Sequence, residues 1–350
     1  MAAFARLCTE YMDPSTLAPL LANRLIPLDK NPGVRPVGIG EVPRRIMGKS
    51  ITSILKKDIM QAAGATQLCA GQESGIEAAI HAMIRLFKAD DTDAILLVDA
   101  DNAFNRLNRG AALHNIRFLC PQLAIALINI YRIPSRLFVA GGAELTSAEG
   151  TTQGCTLAMA MYALGVIPLI NRVRPPTTLQ HVLSSKSDTP QSSAPTQDDA
   201  LPPFPLQAWY ADDSQAGGRL PSLRRWWDSL NTDGPMFGYF PKAVKSFLVV
   251  KPDLLAQATE IFQGTGVKIV DGGQRDLGAA IGAASFVQTY LQDKVDKWKQ
   301  QVEKLAEVAS THGHAALAGY VFGQRHKWRF CQSTMQELHS VIAPLEDHTN

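Results

Sequence analysis

Residues 206–217 read LQAWYADDSQAG, and the reading of this stretch decides the fold. An apolar and aromatic run, Leu206 to Tyr210, meets Ala211-Asp212-Asp213, and Ser214 to Gly217 continues beyond it. Two short extended runs joined by so few polar residues read as a β-hairpin with two carboxylates at its tip. A second acidic strand end lies upstream, where Ala94-Ile-Leu-Leu-Val98 is a short apolar run that stops abruptly at Asp99 and reads as a buried strand.

Outward from these two points, Ser74 to Lys88 carries Ile76, Ala79, Ile80, Met83, Ile84 and Phe87 at a helical period. Ala103 to Phe118 and Leu123 to Ile133 read as helices, Thr152 to Leu169 as a mostly apolar helix, and Phe247 to Val250 as a further strand. Val287, Leu291, Val295, Trp298, Val302, Leu305 and Val308 mark one face of a long helix, with Lys294, Lys297, Lys299 and Lys304 off that face. Between Arg174 and Gln207 the chain is dense in Pro, Ser, Thr and Gln, a composition that reads as a flexible insertion. Strands and helices mixed without regular alternation predict an α+β fold.

The composition narrows the function classes. The 350 residues are 46% hydrophobic and 19% charged, with a net charge of +2, as expected of a globular protein. The apolar run near the middle, Leu157 to Ile170, is 14 residues long and broken by Gly165 and Pro168, too short to span a bilayer. Arg6 and Glu10 interrupt any leader-like run, and five scattered cysteines form no CxxC pair, so a reducing intracellular setting is expected. The charge is uneven. Arg24, Lys30, Arg35, Arg44, Arg45, Lys49, Lys56 and Lys57 face only Asp29 and Glu41 between residues 24 and 57, which reads either as a solvated surface or as a patch facing phosphate.

Carboxylates beside apolar strands are costly unless their charge is compensated. Two divalent cations roughly 3.5–4 Å apart would do so, an arrangement suited to in-line displacement at phosphorus, and magnesium suits an all-Asp set completed by substrate phosphates. Taken singly, Asp99 reads equally as a cap for the helix near Ala103, and Asp212-Asp213 as a simple turn.

Together these residues resemble the reverse transcriptase family. Leu96-Leu-Val-Asp99-Ala-Asp-Asn-Ala-Phe104-Asn105 is similar to the family's first palm motif, Glu149-Gly-Thr-Thr-Gln153-Gly154 to its second, Tyr210-Ala-Asp212-Asp213 to its third, and Gly238-Tyr-Phe-Pro-Lys-Ala-Val-Lys245-Ser246 to its fourth. Arg35-Pro36-Val37-Gly38 resembles the fingers element and Leu277-Gly278 the primer grip; the resemblance runs over about residues 24 to 285. Four motifs in order are a specific signal where a single tetrapeptide is not. After Gln153-Gly154 the family usually shows Asp-Pro-Leu, and here the residues are Cys155-Thr156-Leu157.

The resemblance implies a right-hand polymerase with an antiparallel palm sheet packed on helices. It divides the chain into N-terminally truncated fingers over 1–92, palm over 93–173 and 208–285, the low-complexity insertion over 174–207, and a partial helical thumb over 286–350. It implies an RNA-directed DNA polymerase of a retrotransposon lacking long terminal repeats, acting on an RNA template, a DNA primer and deoxynucleoside triphosphates. The implied cofactor is two Mg2+ ions, with Mn2+ as the alternative. Asp99 and Asp212 would ligate both ions, helped by the carbonyl of Ala100, with Asp213 as a weaker third carboxylate. Phe104 would exclude a ribose 2′-hydroxyl, Gln153 and Gly154 would line the nascent base pair, and Lys245 would assist the departing pyrophosphate. Arg35, with Lys30, would hold the triphosphate, a task suited to a guanidinium fork. Phe104 reads otherwise as core packing, and Lys245 as a surface lysine. Two further readings remain open at this level: a catalytically silent remnant that binds RNA or duplex, and an RNA-dependent RNA polymerase, which Phe104 disfavours. His312, His314, Cys155 and Gly38-Ile-Gly40 have no partners at spacings that specify a metal, thiol or dinucleotide site.

Overall fold

The computed structural model describes residues 10–30, 33–174, 206–335, 338 and 341. It is a mixed α and β structure in two compact units, one of Met1–Gly75, Val98–Ser214 and Pro221–Lys242, the other of Ile76–Leu97, Gln215–Leu220 and Ala243–Asn350. The expected insertion over 174–207 lies, apart from its ends, outside the described residues. The strands are β1 Asn23–Asp29, β2 Val34–Gly40, β3 Ala94–Val98, β4 Ser135–Val139, β5 Glu144–Ser147, β6 Leu206–Tyr210, β7 Asp213–Gly218, β8 Phe247–Val250, β9 Lys268–Val270, β10 Gly273–Asp276 and β11 Ala279–Gly282. No described helix is long and apolar enough to cross a membrane.

In the first unit, β1 and β2 form an antiparallel hairpin within a sheet ordered β2-β1-β4-β5. Prolines are unusual in strands, but Pro27 and Pro36 stand opposite one another, and β4 pairs only with Asn23–Leu25 of β1, so neither missing N–H deprives a partner. The helices Pro121–Tyr131 and Ala158–Gly165 are buried on nearly every side, as their almost wholly apolar sequences require. A Cβ on Gly165 would lie 2.8 Å from that of Ala112, so a glycine lets Ala158–Gly165 approach the helix Arg109–Leu119. The helix expected over 103–118 is two pieces, Ala103–Arg106 and Arg109–Leu119. Asn108 divides them: its side chain caps the second piece through the Ala111 N–H at 2.9 Å, while its own N–H donates to the Phe237 carbonyl. The helix expected from Thr152 starts only at Ala158. Arg44, counted among the basic residues facing outward, is buried and donates to the carbonyls of Leu20 and Leu21 and to the side chain of Asn23.

In the second unit β3, buried along its whole length, pairs antiparallel with β8, which pairs parallel with β9. Just before β3, Asp93 pairs with Arg219 at 2.7 Å and accepts the Leu220 N–H at the start of the helix Leu220–Phe237. The long helix is Ala284–Gly319, with a non-helical residue at His312. Val287, Leu291, Val295 and Trp298 of its predicted stripe join a core with Ile80, Ala279, Ala280 and Cys331, whereas Val308 is 43% exposed, so the stripe emerges from the core before the helix ends.

Candidate active site

The three carboxylates singled out from the sequence all belong to the first unit and sit on two backbone supports. Asp99 directly follows β3, where five consecutive buried residues leave the chain no polar position until the strand ends. Beyond β3 the backbone is held by the segment 240–242: the Lys242 N–H donates to the Asp99 carbonyl at 2.8 Å, Ala100 bridges to Pro241, and the Asp101 N–H donates to the Phe240 carbonyl at 2.8 Å. Gly238 is needed to reach that position. Its φ is +77°, and a Cβ there would lie 2.0 Å from the Arg106 carbonyl oxygen.

Asp213 opens β7, and Asp212 closes the two-residue connection between β6 and β7. Its first residue, Ala211, is buried with φ +56°, a conformation that costs a non-glycine residue about 1–3 kcal/mol. Beneath it, Tyr239 is fully buried; its hydroxyl donates to the Asp212 carbonyl at 3.2 Å and lies 2.7 Å from the Ser214 hydroxyl. On the other side, the segment Thr66–Leu68 bonds to the backbone of Trp209, and the Gln67 amide bonds to Ala211.

The electrostatics of the cluster follow from this packing. Burial, and then repulsion from Asp212 and Asp99, push the Asp213 carboxyl up to about 7. Burial raises Asp212 as well, with Asp99 adding to the rise and Arg35 and Lys30 opposing it. The structure therefore brings Arg35 and Lys30, both exposed on the β1–β2 hairpin, within electrostatic range of Asp212. Gln153 and Gly154 lie against the same hairpin: the Gly38 N–H donates to the Gln153 carbonyl at 2.7 Å, and Gly154, at φ +103°, would place a Cβ 2.6 Å from the Gly38 carbonyl oxygen. This close approach explains why the helix starts late. Phe104 stacks on Tyr162 with ring centroids 4.5 Å apart, and Tyr162 in turn feels the charges of Asp212 and Asp213. Lys245 is exposed on a 3-10 turn that belongs to the second unit.

Four further residues shape the site without a motif that marks them. Asp101 is ion-paired with Lys242 at 2.7 Å and Arg106 at 2.9 Å, and Lys242 first, then Arg106, hold its carboxyl below the usual range. Lys242 and Tyr239 stand inside the stretch similar to the fourth motif, between Gly238 and Lys245. Gln67 has no pattern around it that would have marked it.

Among the described residues no three Asp, Glu, His or Cys side chains close around one metal position. The donor set nevertheless fits hard divalent cations. It holds carboxylates only, partly withdrawn from water and repelling one another, and magnesium is ordinarily bound by one or two carboxylates with phosphate and water completing the shell.

No protein-family model matches the chain, and no curated protein matches it. Among solved structures it is similar to a telomerase from Candida albicans in complex with a TWJ fragment of telomeric RNA, with TM-score 0.48, 10% identity, and 82% of this chain and 50% of that one covered. It is also similar to apo telomerase from Candida tropicalis, with TM-score 0.47, 10% identity, and 75% and 47% covered. The chain thus spans about half the length of the solved structures it matches.

Proposed function

We propose that this chain is an RNA-directed DNA polymerase that adds deoxynucleotides to a primer 3′-hydroxyl on an RNA template, and that it derives from a retrotransposon without long terminal repeats. The observation that carries the reading is that Asp99, at the end of β3, lies within electrostatic range of Asp212 and Asp213, at the β6–β7 connection. Burial and mutual repulsion raise the two turn carboxylates, and two cations of the basic hairpin act on Asp212. In this reading the first part of the chain, 1–92, serves as fingers, 93–173 and 208–285 as palm, and 286–350 as a partial thumb.

Asp99 and Asp212, with the Ala100 carbonyl and Asp213, would hold two Mg2+ ions, which when bound lower the pKa of the primer hydroxyl and neutralise charge on the transferring phosphoryl group. The chain's own residues do the positioning. Arg35 and Lys30 draw the triphosphate toward the acidic turn, the Gln153–Gly154 backbone supports the nascent pair beside β2, and the Phe104 ring, braced by Tyr162, occupies the volume of a ribose 2′-hydroxyl. Lys245 remains the candidate for assisting pyrophosphate. Positioning and charge neutralisation supply the rate enhancement, with no covalent intermediate.

The test is primer extension on poly(rA)/oligo(dT) with magnesium, comparing the parent chain with Asp212→Asn. Extension by the parent and none by the variant supports the reading. Salt-sensitive duplex binding without extension by either would replace it with that of a silent nucleic-acid-binding remnant. In the same assay Phe104→Ala is expected to gain ribonucleotide incorporation, and an unchanged preference would remove Phe104 from its role.

A further inference from the structure

We infer that Gln67 is a positioning residue for the acidic turn: its side-chain amide holds Ala211 in the left-handed conformation that aims Asp212 and Asp213. The inference rests on the polymerase reading for its consequence in catalysis, and on geometry for the clamp itself. Gln67 is fully buried. Its Oε1 accepts the Ala211 N–H at 2.9 Å, and its Nε2 donates to the Ala211 carbonyl at 3.2 Å, so a single side chain satisfies both backbone groups of the one turn residue with positive φ. An N–H can only donate and a carbonyl only accept, so the orientation of the amide follows from its partners.

The clamp is itself anchored. The Trp209 N–H donates to the Thr66 carbonyl and the Leu68 N–H donates to the Trp209 carbonyl, both at 2.8 Å, so Gln67 bridges in parallel to the strand that leads into the turn. Three features make a clamp necessary here. The position at Ala211 is one that two-residue hairpins usually give to glycine. Both of its backbone polar groups are buried, and a buried group without a partner is costly. The two residues that follow carry charges that repel each other, so an untethered turn would relax by swinging them apart.

The test uses three variants of the full chain. Gln67→Met keeps the volume and removes both hydrogen bonds. Gln67→Glu keeps an acceptor for the Ala211 N–H and replaces the amide donor to its carbonyl with an O–H that is present only while the buried carboxyl is protonated. In Gln67→Met with Ala211→Gly, glycine adopts positive φ without help. Two readouts are followed: primer extension resolved into kcat and KM for dTTP, and hydrogen exchange of the Ala211 amide without substrate. Gln67→Met is expected to lower kcat at least tenfold with KM changed less than threefold and to speed Ala211 exchange at least tenfold. Gln67→Glu is expected to fall between Met and parent. The added glycine should recover several-fold in kcat, a rescue that loss of core packing alone would not give. Parental kcat, or unchanged Ala211 exchange, in a folded Gln67→Met would overturn the clamp. If Gln67→Met does not fold, Gln67→Glu decides by the same criteria. If the parent extends no primer, the polymerase reading falls, and the clamp then stands or falls on Ala211 exchange alone.

Discussion

Asp101 and Asp213 are both aspartates set beside a strand in the same unit, and their surroundings push their protons in opposite directions. At the end of β3 the chain supplies Asp101 with two cations, Lys242 and Arg106, and its carboxyl is held low. In the turn between β6 and β7, the charges that act most on Asp213 are the negative ones of Asp212 and Asp99, and the carboxyl is pushed up to about 7. The first region is electrostatically closed. The second lacks such cations around Asp213, and it is there that the proposed function places the charge of a ligand.

The sharpest way to break this comparison is by exchange of each charge for an amide. Asp212→Asn removes a group proposed to act on the transferring phosphoryl, and loss of a preorganised electrostatic contact costs about a hundredfold or more in rate. Asp101→Asn, whose side chain is paired with Lys242 and Arg106 and is given no part in that role, is expected to stay within a few-fold of the parent in the same primer-extension assay. Equal losses in both variants would mean that the two regions are not functionally distinct.

The second test is thermal stability against pH in EDTA. Asp213 has a folded-state pKa near 7 against an ordinary value of 3.8. Between these values the folded chain binds more protons than the unfolded chain, so stability falls as pH rises through that window. The effect is a few kcal/mol at most, or several degrees in melting temperature. Asp213→Asn is expected to flatten the slope between pH 4 and 7. Added magnesium at pH 7.5 is expected to raise the parent's melting temperature more than the variant's. A parent profile already flat in EDTA would contradict the uncompensated turn.

How much of this was legible in the sequence depended on whether local pattern or distant contact set the structure. β3 was readable to the residue, since five buried apolar positions ended by Asp99 admit few alternatives, and the β6–β7 hairpin was readable from its two short runs. The break at Asn108 was not, since it depends on the Phe237 carbonyl accepting from Asn108, and Gly150 donating to Leu107, both far along the chain. The β1–β2 hairpin was hidden by prolines that are harmless only in the observed register. In the site, the acids were legible because three carboxylates at strand ends are unusual. Gln67, Tyr239 and Lys242 were not, because each acts on a backbone or charge that folding alone brings to it.

The smallest expected effect lies on the closed side of the comparison. Asp101 and its partners are 30–42% exposed, so solvent screens their attraction and the pair of bridges contributes about 1 kcal/mol or less. The sign is opposite to that of Asp213. A carboxyl with a lowered folded pKa stabilises the fold above its unfolded value and loses that contribution as pH falls through the folded one. Asp101→Asn is therefore expected to melt about 1–2 °C below the parent at pH 7. The gap should narrow in 1 M salt, which screens exposed pairs, begin to shrink below about pH 4, and close once the pH falls beneath the lowered folded pKa of Asp101. Urea or thermal melts of the two proteins across that range would decide it. A gap that persists in acid would assign the role of Asp101 to hydrogen bonding in the turn rather than to its charge, and the contrast between the two carboxylates would then be one of geometry alone.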